Sequence, residues 1–207
     1  MKEKTNINNF VVAGSWNLAI FSPNWIKQYI LTDDENFEVA YPINNPSSSP
    51  QYRNEDFVLT VRDNRLEVIV RKEPLKAIEC IRNILQKLQH TPLIGFGVNF
   101  EFTLERDELC PDLETKIFTE TPFTGFFDNY KLVGNENKAI FKLNEKQKLN
   151  FIIDRQNDSM IDLKFNYHTE VQTPIDLLET ISDSTLFEKY HKEVLSLLDQ
   201  KYNLKLE

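Results

Sequence analysis

Residues 93–104 read Leu93-Ile94-Gly95-Phe96-Gly97-Val98-Asn99-Phe100-Glu101-Phe102-Thr103-Leu104. Ile94, Phe96, Val98, Phe100, Phe102 and Leu104 fall on one side of an extended chain, and Leu93, Gly95, Gly97, Asn99, Glu101 and Thr103 on the other. A period of two is the period of a β-strand. A strand with one apolar and one polar side belongs to a sheet that is covered on one face and wet on the other, the usual condition of antiparallel sheets. Residues 161–171 repeat the pattern: Ile161, Leu163, Phe165, Tyr167 and Val171 face inward, and Asp162, Lys164, Asn166, His168 and Glu170 face outward.

The flanking sequence supplies the remaining elements. Upstream, 57–61 and 66–70 are β-rich runs separated by Asp63-Asn64, which predicts a tight hairpin. Leu75, Ile78, Ile81, Leu85 and Leu88 recur every three or four residues and predict a helix over 75–90. Residues 10–20 read as an apolar strand, Ser22-Pro23 as the start of a helix over 23–31, 37–41 as a strand and 44–54 as a loop. Downstream, 125–133 is an expected strand, and 139–143 with 149–154 a second hairpin. Thr173-Pro174 opens a helical region that breaks near Asp183-Ser184 and runs to about Asn203.

Helices that follow pairs of strands, rather than alternating with single ones, predict an α+β fold: a mostly antiparallel sheet with helices packed on one face. The 207 residues fit a single domain over 1–207. The strand–strand–helix order of 57–90 returns in 149–182, which suggests an internal β-β-α duplication with pseudo-repeat halves 1–105 and 106–207.

A net charge of −8 opposes general affinity for nucleic acid, itself a polyanion. Cys80 and Cys110 make no disulfide framework, and no long apolar run signals a membrane span or leader, so a cytoplasmic protein is expected. Abundant Asn, Lys and Ile suggest a bacterial or phage genome. Asn157-Asp158-Ser159 has the pattern of a glycosylation site and is read as coincidental.

Motifs that carry a mechanism are absent: there is no phosphate-binding glycine loop, HExxH, GxSxG or CxxC. Gly95-Phe96-Gly97 lies within a strand and reads as a close approach across the sheet. The catalytic candidates are His168 and Glu170, two apart on one strand side and so able to share a proton or a metal, with Asp162 on the same face. A wet sheet face explains the same three residues without chemistry. Asp33-Asp34-Glu35, and Asp107, Glu108 and Asp112 around Cys110-Pro111, read as solvated loops and an inert thiol. His90 falls at a helix end and His191 on the last helix. Trp16 and Trp25 frame either a ring-lined pocket or a helix-to-sheet contact. No metal and no cofactor is expected.

Charge is uneven. Residues 62–90 carry seven basic side chains, among them Arg71, Lys72 and Lys76, against four acidic ones, and 101–120 carry seven acids against two bases. Opposite fields of this kind steer association with a partner or a second copy. The leading expectation is therefore a non-enzymatic interaction or assembly subunit, with a role in phage–bacteria conflict as one setting. The alternatives are an enzyme or ligand sensor around His168 and a nucleic-acid binder through 62–90.

Overall fold

The computed structural model describes residues 1–5, 7, 9–31, 37–41, 49–105, 108, 135–156 and 159–206. The acidic cluster 33–35, Cys110 with Asp107 and Asp112, the expected strand 125–133, the Asn157-Asp158 pair and most of the acidic stretch 101–120 lie outside the described residues.

The strands are β1 (Lys2–Glu3), β2 (Phe10–Gly14), β3 (Glu38–Ala40), β4 (Gln51–Arg53), β5 (Phe57–Arg62), β6 (Arg65–Val70), β7 (Leu93–Glu105), β8 (Asn135–Lys142), β9 (Gln147–Arg155) and β10 (Met160–Thr169). The helices are α1 (Pro23–Tyr29), α2 (Pro74–Lys87), α3 (Pro174–Thr180) and α4 (Leu186–Tyr202). All ten strands form one antiparallel sheet in the order β3-β4-β5-β6-β2-β7-β10-β9-β8, with β1 pairing along β7 beside β2. The protein is mixed α and β and mostly sheet. The order hairpin then helix occurs as β5-β6-α2 and again as β9-β10-α3.

β7 is the longest strand and pairs with β1, β2 and β10, and its apolar side lies in the core. Phe96, Val98, Phe100, Phe102 and Leu104 are buried, and across the next strand Ile161, Leu163, Phe165 and Tyr167 are buried with them. Rings of α4 meet rings on this side. Phe187 lies 5.0 Å from Phe100 and 5.4 Å from Phe10, His191 stacks 5.3 Å from Phe100, and Tyr190 lies parallel to Tyr167 at 4.0 Å. Burial, and then the nearby Glu193 carboxylate, push the Tyr167 hydroxyl well above its ordinary range, so this phenol is a neutral packing group. α2 turns Ala77, Ile78, Cys80, Ile81, Ile84 and Leu85 inward and contacts β6, α1 and α3.

Local chemistry explains the helix boundaries. The Ser22 hydroxyl accepts from the Trp25 N–H at the start of α1, and Pro23 follows it. Thr173 and Asp176 form a reciprocal capping box for α3. Asn203 closes α4 in the left-handed region, φ 54°.

In its strands the structure differs from the expectation as follows. The strand expected over 10–20 ends at Gly14, where a bulge sets Gly14 opposite Leu93 after Ala13 opposite Gly95. That bulge inverts the start of β7: Ile94, expected inside, is 72% exposed, and Leu93 is buried in its place. The loop expected over 44–54 contains β4, whose Tyr52 is buried and donates to the Phe21 carbonyl.

Candidate functional site

The polar side of the sheet is built from the alternate residues of β7, β10 and β9. In register, Asn99 stands opposite Asn166, and Asn166 opposite Asn150. The Asn150 amide donates to the Asn166 carbonyl oxygen at 2.9 Å, and the Asn166 amide donates to that of Asn99. The three strands thus share an amide ladder. A chain of side-chain amides uses donor and acceptor at each step and pins strand register.

Two glycines shape the surface beside this ladder. A Cβ built on Gly95 would stand 2.5 Å from His168 Cε1 and 3.2 Å from its Nε2, and one on Gly97 would stand 2.9 Å from Asn166 Nδ2. The absent side chains of β7 are therefore the space into which His168 and Asn166 lean. This is the side-chain approach across the sheet that the glycine pair suggested. The imidazole lies over backbone and not beside a nucleophile.

The acidic neighbours are engaged elsewhere. The Glu170 carboxylate accepts from Lys148 Nζ at 2.7 Å, and that bond holds its pKa below the ordinary carboxylate range. Asp162 is six residues from His168 along one strand, about 20 Å at the usual rise. It does not face a wet surface either: its side chain is 4% exposed, accepting from Lys4 Nζ at 2.8 Å and from the Thr103 hydroxyl at 2.7 Å. Lys4 also reaches Glu101 at 2.6 Å. Burial opposes its charge, but the hydrogen bonds it donates to Asp162 and Glu101 outweigh burial and raise its pKa. Farther across the face, Lys164 Nζ meets Asp154 at 2.5 Å. The trio His168, Glu170 and Asp162 therefore does not converge. Among the described residues no group of three or more His, Cys, Asp or Glu side chains could hold a metal ion.

No family model, no curated protein and no solved structure matches this chain.

The other sequence-predicted residues are placed as follows. Trp16 is buried with its indole N–H 3.3 Å from the Val12 carbonyl, and rings run on through Phe21 to Trp25 and Tyr29. These rings lie along α1, and a small cavity between α1 and the sheet is lined by Ile26, Ile30, Phe37, Tyr52 and Phe57 and by neither tryptophan. Arg71 donates to the Asn54 carbonyl at 2.7 Å, Lys72 pairs with Glu55 at 2.9 Å, and Lys76 stands 3.7 Å from Glu79. Arg62 and Arg65 both pair with the buried Glu67. The basic character of 62–90 is divided among ion pairs, backbone carbonyls and a ring on different elements. His191, expected only to lie on the last helix, meets Glu3 at 3.0 Å and ties α4 to β1. No helix among the described residues is long and apolar enough to cross a membrane.

Sequence reasoning missed Lys4, Asn99 and Asn150, because only strand pairing brings them to their partners. It also missed the outer edge. Among the described residues β8 ends the sheet, and every residue of 136–142 is exposed, with Ile140 at 59% and Phe141 at 51%.

Proposed function

We propose that this chain is a non-enzymatic interaction or assembly subunit that presents the edge strand β8 to a protein partner. One observation carries the reading. Strand register aligns a single row of side chains across eight strands: Tyr52, Leu59, Val68, Phe10, Val98, Tyr167, Leu149 and Phe141. The first seven are 0–6% exposed, and Phe141 is 51% exposed. Phe141 is thus a core residue in every respect except that the sheet stops beside it among the described residues. An edge strand carries a row of backbone donors and acceptors and templates another strand, and natural sheets shorten or blunt such edges. The opposite edge, β3, spans only three residues. β8 is longer and carries neither proline nor glycine.

The alternatives have less support. The polar face around His168 offers ladders and ion pairs that satisfy one another, without a convergent acid, base or nucleophile. Arg71, Lys72 and Lys76 have partners of their own, which weakens a phosphate-binding reading. The helices as a shield for one face, and the β-β-α duplication behind halves 1–105 and 106–207, belong to the same proposal. They are supported by the rings that join α4 to the sheet and by the recurring hairpin-then-helix order. So does a cytoplasmic bacterial or phage setting, supported by the composition.

The test is capture from host extract by wild type and by the Ile140→Lys, Phe141→Lys double variant. A polypeptide held by wild type and lost by the variant, with unchanged circular dichroism, is the expected result. Identical capture by both, or loss with His168→Ala instead, would refute the edge reading.

A further inference from the structure

We infer that the occupant of the β8 edge is a second copy of this chain, paired antiparallel through a two-fold axis at Ala139. The inference rests on the edge reading above and adds the partner and the register.

The sequence of β8 decides among the self-pairings. An antiparallel pair places opposite residues on the same side of the sheet. A two-fold axis that keeps like faces together must therefore set one residue opposite its own copy. Centring on Lys138 sets that ammonium against itself. Centring on Ile140 sets Lys138 against Lys142 twice. Centring on Ala139 sets Glu136 of each copy against Lys142 of the other, and Lys138 against Ile140. Centring on Asn137 also sets Glu136 against Lys138, but it pairs only five residues of the strand, 135–139, whereas centring on Ala139 pairs seven, 136–142. The Ala139 register is thus the one that combines the longest overlap with opposed unlike charges and no like ones, and charge complementarity selects register as well as partner. The lysines that blunt other registers act here as selectors. Lys142 has a partner within its own chain, Glu145 at 2.9 Å, but both side chains are 60% exposed or more, so the ammonium is free to be shared.

The apolar side agrees. Ala139 and Phe141 share the side of Leu149 and Phe151, their register partners on β9. At the axis two alanines meet, the smallest side chains of the strand. The Phe141 ring of each copy lies directly opposite Asn137 and diagonal to Ala139 of the other, and these two side chains give it the cover that the sheet's end denies it. On the polar side the Lys138 stem lies along Ile140. A single strand pair buries less than the ~1,200 Å² at the low end of stable interfaces, so a weak dimer, in the micromolar range, is expected.

The register is read by cysteine cross-linking on the full chain, in a Cys110→Ser background; Cys80 is buried and is retained. Residues directly opposite in an antiparallel pair have Cα atoms about 4.5–5.5 Å apart, within disulfide range, whereas diagonal neighbours at about 7–8 Å are beyond it. Ala139→Cys should therefore form a covalent dimer under mild oxidation and Lys138→Cys should not. Sedimentation velocity across a concentration series supplies the second readout. Glu136→Lys should weaken the dimer roughly 5- to 30-fold by opposing like charges twice, and adding Lys142→Glu should restore it. Cross-linking at Lys138 instead of Ala139, failure of the charge swap to restore, or a wild type that stays monomeric with no Ala139→Cys dimer would overturn the inference. In the monomeric case, backbone amides of 136–142 that become protected only with a captured partner leave the edge reading standing. Amides unprotected with and without it refute both.

Discussion

Replacing Gly95 by alanine tests the fit of His168 over the bare backbone of β7. The glycine does not adopt a positive φ, so an alanine there meets no backbone penalty of its own. Taken alone, the substitution should stabilise by about 0.4–1 kcal/mol, because it narrows the unfolded ensemble. In the folded protein the new methyl would stand 2.5 Å from His168 Cε1, well inside contact distance, with two further ring atoms within 3.5 Å. The imidazole must swing off its position, and overpacking of this kind costs about 1–3 kcal/mol. The net expectation for Gly95→Ala is a loss of about 0.5–2 kcal/mol. His168→Ala removes the obstacle and, having no catalytic or ionic partner to abandon, should itself change stability by no more than about 0.5 kcal/mol. In that background Gly95→Ala should turn neutral or stabilising. Urea melts of the four proteins give the coupling energy, expected at about 1–3 kcal/mol, provided m is constant across the set. A loss at Gly95→Ala that is the same with and without the His168 ring would refute the argument, since the clash would then be with something else.

Phe100→Ala should cost about 3–5 kcal/mol in the same melts, because it opens a cavity among Tyr167, Phe187 and His191, while Ile94→Ser, on the same nominal side of the alternation but expelled by the bulge, should fall within about 0.5 kcal/mol. The Thr173 hydroxyl, and then the backbone N–H groups of Gln172 and Thr173, hold the Asp176 carboxyl below its ordinary value of 3.8. Its folded pKa is the depressed one, so its contribution is complete above 3.8 and is lost as pH falls through the folded value. The stability gap between wild type and Asp176→Asn should be flat from neutral pH down to about 5 and close below that, and a gap that widens in acid would contradict the capping box.

Periodicity in the chain is enough to determine much of this protein. The alternation of β7 and β10, the hairpin at Asp63-Asn64, the helix beginning at Pro74 and the break between α3 and α4 are all legible, because each depends on neighbours within a few residues. The apolar side of the sheet follows from the same alternation.

What pairs with what is another matter, since register joins residues far apart in the chain and leaves no local trace. Ile94 reads as core until the bulge opposite Gly14 turns it out. Asp162 reads as wet until Lys4, from the other end of the chain, covers it. Asn99, Asn150 and Asn166 are three separate polar residues until adjacent strands bring them into one ladder. Phe141 shows the limit most plainly. Its sequence context, Ala139-Ile140-Phe141, is that of any buried strand, and its row of partners is core from Tyr52 to Leu149. Whether such a residue is inside or at the rim depends on how many strands lie beyond it, and strand order is decided only when the whole sheet closes its hydrogen bonds.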